Sequence, residues 1–183
     1  MSQSRFKAEV LSLRGVLCIN PSVFSDERGV SVTTYSADEF EAFGIHPRFV
    51  EGFTSRSRKD VIRGLHFQYP PYAQDKLVRC SQGEVFAVVV DYEKTSPTYR
   101  QHVSVTLSSE TQNILFVPGQ YAFGFCVTSD EALVEYKLGD SFHPEAAGGV
   151  FYNDPALGIS WPVTNPVLSQ KDRDWPLLSY EQK

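Results

Sequence analysis

Short runs of alternating and continuous apolar residues, separated by turn residues, dominate the middle of the chain. Residues Glu84 to Tyr92 are rich in β-branched and aromatic side chains, whereas His102 to Leu107 and Ala132 to Leu138 alternate apolar with polar positions. Residues Asn113 to Val117 form an apolar run that stops at Pro118-Gly119. Short strands at close spacing, with Gly and Pro between them, are typical of a sandwich or barrel. We therefore predict an all-β fold.

Helix signals are few. Residues Ser36 to Phe43 favour a helix, because Ser36 and Glu39 have the spacing of a capping box and Gly44 follows as a natural stop. A second short helix is predicted near Ser169. The 183 residues contain no internal repeat or Pro/Ser-rich linker, so we expect one domain over 1–183 with one or two peripheral helices.

Two predicted strands carry polar residues where alternation brings them to a defined face. In residues 61–68, alternation puts Arg63, Leu65 and Phe67 on one face, and His66 with Gln68 on the other. In residues 132–138, Tyr136 shares a face with three apolar residues and is predicted to point inward. A buried tyrosine hydroxyl needs a hydrogen-bond partner or a ligand. From the pattern alone, His66 is more often a structural or surface histidine than a catalytic one.

Composition and charge narrow the classes of protein. Apolar residues make up 42% of the chain and charged residues 21%, with a net charge of -5. This acidic balance argues against a nucleic-acid binder, but a few arginines in one pocket can still hold a pyrophosphate. Three cysteines without a C-x-x-C motif favour reduced thiols. The first ten residues lack the apolar core of a signal peptide. The chain also lacks a run of about 18 apolar residues, so no membrane span is predicted and we expect a cytoplasmic protein.

An ordered series of motifs resembles the dTDP-4-dehydrorhamnose 3,5-epimerase family. The motifs are F-S-D-E-R-G at 24–29, R-G-L-H-F-Q at 63–68, A-Q-D-K-L-V-R at 73–79, P-G-Q-Y-A-F-G-F at 118–125, N-D-P-A-L-G-I-S-W-P at 153–162 and L-S-Q-K-D at 168–172. Each motif alone is weak evidence. Their order over nearly the whole chain makes the resemblance strong.

The resemblance implies a fold, a substrate class and an assembly. The fold is a cupin or jelly-roll β-barrel, and the assembly is a homodimer in which the N-terminal segment adds to the partner's sheet. The substrate is a nucleoside diphosphate 4-keto-6-deoxyhexose that is inverted at C3, C5 or both, without cofactor or metal. The implied pathway supplies deoxysugars for a surface polysaccharide such as the O-antigen of lipopolysaccharide, or for a glycosylated natural product.

The chemistry that the resemblance implies needs a base, an acid and a stabiliser for an enolate. A proton on carbon next to a ketone is removable because the charge moves onto the ketone oxygen. His66 would be the base, and Asp172 would orient its ring. Lys76 would stabilise the enolate at the C4 oxygen. Tyr136 would deliver a proton from the opposite face, as inversion requires.

The resemblance also assigns substrate-binding positions. Arg28 and Arg63 would hold the pyrophosphate by charge-assisted hydrogen bonds. Gln68, which ends the R-G-L-H-F-Q motif, is predicted to contact the substrate. Without the resemblance, Lys76 would be taken for a surface lysine, Asp172 for a helix cap and Arg28 for a turn residue.

Some pocket positions depart from the family pattern. Phe123 stands where a histidine is usual, and Glu51 and Phe53 replace a glutamine and an asparagine. Thr33 replaces an acidic residue, and an aromatic pair is reduced to Ser141-Phe142. An ionised glutamate only accepts hydrogen bonds, so Glu51 is predicted to favour the amino group of cytosine or guanine. The substrate nucleotide is thus expected to be dTDP, CDP or GDP, and the loss of the histidine leaves a C3-only epimerase open.

Three other functions compete with the epimerase. A metal-dependent cupin usually offers H-x-H on one strand and a later histidine, whereas this chain has His66 alone and then Phe123. A 3,4-ketoisomerase of the same fold also moves a proton beside the carbonyl. A non-catalytic sugar-nucleotide-binding module would not need both His66 and Asp172. The matches at Lys76 and Asp172 favour the epimerase.

Overall fold

The computed structural model describes residues 4–46 and 49–178, and it is built almost entirely of strands. The strands are β1 Phe6–Val10, β2 Leu17–Pro21, β3 Val23–Asp26, β4 Gly29–Val32, β5 Glu51–Arg58, β6 Ile62–Gln68, β7 Lys76–Gln82, β8 Glu84–Val90, β9 His102–Ser108, β10 Ile114–Val117, β11 Ala122–Val127, β12 Glu131–Leu138 and β13 Ala147–Gly149. The helices are α1 Ala37–Glu41 and α2 Gln170–Arg173, with a single 3-10 turn at Pro144–Ala146. The predicted all-β class is confirmed.

Two antiparallel sheets enclose the main core. The large sheet has the order β1-β2-β10-β7-β12-β5 and the small sheet has the order β13-β6-β11-β8-β9, while β3 and β4 form a separate hairpin. Inward side chains of both sheets, such as Val78 and Val134 from the large sheet and Val85 and Phe125 from the small sheet, belong to one buried cluster. This arrangement is the predicted jelly-roll barrel.

Strand β8 shows why a continuous apolar run forms a strand here. Its inward residues Val85, Ala87 and Val89 belong to the core between the sheets. Its outward residues Val88 and Val90 belong to a second buried cluster, which the chain after β13 completes. Because both faces of β8 are covered, both faces are apolar, and the strand shows no alternation.

The first helix is shorter than predicted, and its capping box does not form. Helix α1 begins after Ser36, whose hydroxyl makes no capping hydrogen bond. The Glu39 carboxylate instead accepts hydrogen bonds from the backbone N–H (2.8 Å) and Nε (2.7 Å) of Arg5. An arginine charge competes better for a carboxylate than a neutral backbone N–H does. Gly44 has φ +78° and ends the helical segment as predicted.

None of the helices in the described residues has the length and apolar character for crossing a membrane.

Strand β6 breaks the alternation that the sequence predicts. It pairs with β11 so that His66 faces Phe123 and Arg63 faces Phe125. Three steps along β6 therefore match two along β11, which is a β-bulge. The prediction that Arg63 and His66 lie on opposite faces is wrong, because the bulge turns both toward the space between the sheets. The bulge lies at Gly64, which has φ +133°. Only glycine fits this position, because the Cβ of any other residue would lie 2.5 Å from the Cα of Gly124.

Candidate active site

One end of the space between the two sheets opens into a cavity of about 470 Å³. Nine of the ten predicted site residues line it, and Arg28 is the tenth. The nine are Glu51, Phe53, Arg63, His66, Gln68, Lys76, Phe123, Tyr136 and Asp172. The fold thus brings together side chains from β5, β6, β7, β11, β12 and α2. A largely apolar cavity with a few convergent polar groups is typical of a small-molecule site.

His66 and Asp172 form a hydrogen-bonded pair at the cavity wall. The Nε2 atom of His66 lies 2.5 Å from Oδ1 of Asp172, whose side chain is only 5% exposed. Ser169 caps α2 by accepting from the Asp172 N–H, and its hydroxyl donates to Oδ2 of Asp172 at 2.7 Å. Both carboxylate oxygens therefore have partners. The bond to Nε2 fixes the ring and leaves the other ring nitrogen to take a proton.

The Asp172 carboxyl is held in its ionised form. Burial by itself would raise its pKa, but the hydrogen bond and charge of His66, with smaller contributions from Ser169 and the Gly64 backbone, lower the pKa below its ordinary value. The pair therefore has the arrangement of a base and the carboxylate that orients it.

Lys76 is a buried lysine at the start of β7. Its Nζ donates a hydrogen bond of 2.8 Å to the carbonyl oxygen of Gln74. Burial lowers the pKa of Lys76 from 10.5 to about 8, against the opposing charge of Asp75. A buried ammonium group that faces a cavity is well suited to stabilise negative charge on a ligand oxygen.

Tyr136 projects from β12 into the same cavity and keeps its proton. Burial raises the pKa of its hydroxyl well above the ordinary value, while the charge of Arg63 and the Ser55 side chain oppose the shift less strongly. Its ring lies between Phe53, at 5.5 Å between centroids, and Phe123, at 6.2 Å. These rings hold Tyr136 in place. A protonated phenol in this position can act as an acid but not as a base at neutral pH.

The two predicted arginines lie in different places. Arg63 lines the cavity, and its Nε donates to the Ser57 hydroxyl at 2.9 Å. Arg28 lies at the turn of the β3–β4 hairpin, pairs with Asp26 at 2.6 Å and has a side chain that is 86% exposed. Arg28 therefore lies apart from the cavity of its own chain, in a separate hairpin whose residues are mostly exposed, and its role at the pyrophosphate stays a prediction.

Comparison with known proteins identifies the family. The sequence model of the dTDP-4-dehydrorhamnose 3,5-epimerase family matches residues 10–180. The chain belongs to this family. It is 47% identical to the dTDP-4-dehydrorhamnose 3,5-epimerase of Shigella flexneri over 158 residues, which are 86% of this chain and 87% of the relative. It is 41% identical to that of Methanothermobacter thermautotrophicus over 178 residues, 96% of each chain.

The fold agrees with solved structures of the same family. The crystal structure of dTDP-6-deoxy-D-glucose-3,5-epimerase from Legionella pneumophila, in complex with dTDP-4-keto-L-rhamnose, matches with a TM-score of 0.91 and 40% identity. The match covers 94% of this chain and 93% of that one. The family resemblance, the cupin-type fold and the enzyme class, an isomerase of the epimerase type, are confirmed.

Two residues beside the cavity, Lys171 and Trp175, were not predicted from the sequence. The Trp175 ring meets His66 edge-on at 6.1 Å between centroids. The Nζ of Lys171 lies 5.3 Å from the centroid of Trp175 and 5.9 Å from that of Phe142. For Trp175 the available signal was its place three positions after Asp172, since residues three apart at a helical turn lie on the same side. No comparable spacing marks Lys171.

The metal-dependent alternative has no ligand set in the described part of this epimerase. Within 4–46 and 49–178, no three His, Cys, Asp or Glu side chains come together in a group that could hold a metal ion. The cavity histidine is His66, and its described partner is a carboxylate. The predicted departures at Phe123, Glu51 and Phe53 all line the cavity.

Proposed function

We propose that this chain inverts C3 and C5 of a thymidine diphosphate 4-keto-6-deoxyhexose. The observation that carries the proposal is the placement of the His66–Asp172 pair, Lys76 and Tyr136 around one cavity. His66 lies on the small sheet, whereas Lys76 and Tyr136 lie on the large sheet. A base and an acid on facing sheets can approach opposite faces of one sugar ring, as inversion requires.

The proposed reaction proceeds through an enolate. His66 takes the proton from the carbon next to the C4 ketone, and the electron pair of that C–H bond moves onto the ketone oxygen. The Lys76 ammonium stabilises the oxygen charge. Tyr136 then gives its hydroxyl proton to the opposite face of the carbon. Proton exchange with water returns His66 to its neutral form and Tyr136 to its protonated form.

The thymidine nucleotide is proposed from the relatives, whose names are thymidine-linked. They lend no support to the cytidine or guanosine nucleotides that Glu51 predicts. The structure offers another partner for this glutamate, since its Oε2 accepts from the Phe142 backbone N–H at 3.2 Å. A competition experiment with thymidine, cytidine and guanosine diphosphates tests the choice. Tighter binding of cytidine or guanosine diphosphate would return Glu51 to the role of a base reader.

The homodimer remains a proposal, and the β3–β4 hairpin supports it. The hairpin exposes the apolar side chains of Val23, Phe24 and Val30 to solvent. A contiguous exposed apolar surface of this kind is typical of a protein–protein interface. Strand β5 is an edge of the large sheet and lines the cavity, so an added partner strand would reach the site. We propose that the hairpin brings Arg28 to the partner's cavity.

Mixed dimers test this arrangement. If Arg28 acts in the partner's site, then mixing Arg28→Ala with His66→Asn chains should restore activity, because one site in each mixed dimer is complete. Either variant alone should be inactive or weak. A lack of restoration, with mixed dimers verified by mass spectrometry, would place Arg28 outside the catalytic site.

Exchange in deuterated water tests the reaction itself. The protein is incubated with dTDP-linked 4-keto-6-deoxyglucose, and deuterium is read at C3 and C5 by NMR. Label at both carbons supports the 3,5-epimerase, and label at C3 alone supports the C3-only alternative. A constitutional isomer would show a 3,4-ketoisomerase. We further propose that the product supplies deoxysugars for a surface polysaccharide of the O-antigen type, as the family resemblance implies.

A further inference from the structure

A five-residue segment after β12 borders the cavity through Phe142, and each of its residues is hydrogen-bonded to a neighbouring part of the chain. We call residues 139–143 the rim segment. The contacts are Gly139 N–H to Asp75 O (2.9 Å), Gln74 Nε2 to Asp140 O (2.6 Å), Gln68 Nε2 to Ser141 O (3.2 Å), Phe142 N–H to Glu51 Oε2 (3.2 Å) and His143 N–H to Gln68 Oε1 (2.7 Å). The segment carries Phe142 to the cavity.

The Gln68 amide has little capacity left for a substrate. Its Nε2 donates to the carbonyl oxygens of Tyr72, at 2.8 Å, and Ser141, and its Oε1 accepts from His143. The residue is only 3% exposed. A primary amide offers two donor hydrogens, and both are used within the protein. The Gln68 amide thus bonds to the backbone around the cavity, and the contact of Gln68 with substrate stays a prediction.

Gln74 connects the rim segment to the buried lysine. Its side chain donates to Asp140 in the rim segment, while its own carbonyl oxygen accepts from Lys76 Nζ at 2.8 Å. Gln74 is 6% exposed, so loss of either bond would leave a buried polar group without a partner. Movement of the rim segment would therefore move the carbonyl that orients Lys76.

We infer that Gln68 and Gln74 are positioning residues that make the rim segment a fixed wall of the active site. Gln68 holds the backbone on both sides of Phe142, and Gln74 ties the same segment to the partner of Lys76. The inference rests on the proposed function only for its kinetic readouts. Phe142 is expected to shape the entrance without a closing movement, since each residue of the segment is already bonded to the wall.

The test uses full-length Gln68→Leu, Gln68→Glu and Gln74→Leu, with Gln101→Leu, an exposed glutamine outside the cavity lining, as control. Amide hydrogen exchange without substrate should be slow at the bonded N–H groups of Gly139, Phe142 and His143 in the wild type, and at least about tenfold faster at Phe142 and His143 in the Gln68 variants. Gln68→Glu should be as damaging as Gln68→Leu, because a carboxylate cannot donate to two carbonyl groups. Unchanged exchange in the rim segment would overturn the inference.

Kinetics separates positioning from a general loss of stability. The Gln68 variants should raise KM by about tenfold with a smaller change in kcat, whereas Gln74→Leu should mainly lower kcat and displace the alkaline limb of its pH profile. A wild-type-like Gln68→Glu would overturn the inference. A wild type that failed to epimerise would refute the proposed function. The amide exchange data and the affinity for thymidine diphosphate would still test the rim segment.

Discussion

The two ends of the space between the sheets differ sharply, although the same strands build both. Strand β7 begins in the cavity with Lys76 and continues inward with Val78 and Cys80, which are fully buried in the core. Strand β12 has Ala132 and Val134 in that core, and it reaches the cavity with Tyr136. Inward residues alternate from Lys76 to Cys80 in β7 and from Ala132 to Tyr136 in β12, so the cavity end and the core end follow the same geometric rule.

This comparison shows how the barrel carries a reaction. Strands β7 and β12 carry Lys76 and Tyr136 at the cavity end and keep apolar inward residues in the core, whereas β6 directs both Arg63 and His66 to the cavity. The apolar core end supplies the hydrophobic stabilisation that offsets the free-energy cost of burying polar groups at the cavity end. Substitutions at the two ends should therefore affect activity and stability in opposite ways.

The largest effect is expected at the base. His66→Asn removes the group that takes the proton, so deuterium exchange should fall by about 10²–10⁴-fold with little change in the melting temperature. Exchange is followed by NMR in deuterated water, and melting by circular dichroism. His102→Asn, on a strand outside the cavity lining, is the matched control and should retain normal exchange. Near-normal exchange in His66→Asn would sink the mechanism.

Tyr136→Phe should separate proton removal from inversion. The ring keeps its contacts with Phe53 and Phe123, so stability should hold, but the phenylalanine cannot donate a proton. We expect epimer formation to fall by about 10²–10³-fold, while exchange that His66 carries out on its own face persists. Product stereochemistry and deuterium content are read from the same sample. Normal inversion would show that another group supplies the proton.

Lys76→Met and Val78→Ala lie two residues apart on β7 and should have opposite effects. The pKa of Lys76, which burial lowers from 10.5 to about 8, corresponds to a cost of roughly 3 kcal/mol at neutral pH, partly offset by its bond to Gln74. Lys76→Met should therefore stabilise the protein by roughly 2 kcal/mol and lower kcat by about 10²–10³-fold. Val78→Ala should destabilise by roughly 2 kcal/mol and leave the chemistry intact.

Urea denaturation and steady-state rates for both variants test this pair. Because the folded pKa of Lys76 lies below the unfolded one, wild-type stability should rise as pH increases from about 8 toward 10.5. Below that window the cost of the charged lysine is present in full. The stabilisation gained by Lys76→Met should therefore fade over the same interval. A destabilised Lys76→Met at pH 7 would contradict the interpretation.

The smallest effect is expected from pH alone. Enolate stabilisation needs the ammonium form of Lys76, whose pKa is about 8 in the folded chain. We therefore expect kcat/KM to fall above pH 8, by about tenfold per unit once the lysine is mostly neutral. Val78→Ala is the control and should keep the same alkaline limb. A rate that stays constant to pH 10 would show that Lys76 does not act through its charge.

The sequence by itself determined the elements whose signals are local. Alternation along Ala132 to Leu138 predicted the inward direction of Tyr136, and Gly44 predicted the end of the first helical segment. The ordered motifs predicted the family. They contain six of the predicted site residues that line the cavity, namely Arg63, His66, Gln68, Lys76, Phe123 and Asp172. These signals are reliable because side-chain direction in a strand and the conformation of glycine depend on the nearest neighbours along the chain.

Only the tertiary structure decided the features that depend on distant partners. The bulge in β6 places Arg63 beside His66, and it depends on the register with β11. The bond between His66 and Asp172 joins residues 106 positions apart. The Glu39 carboxylate bonds to Arg5 instead of closing a capping box, and the Gln68 amide bonds to Ser141 and His143 of the rim segment. Local periodicity cannot predict such outcomes, because polar groups bond to whichever partner folding brings within reach.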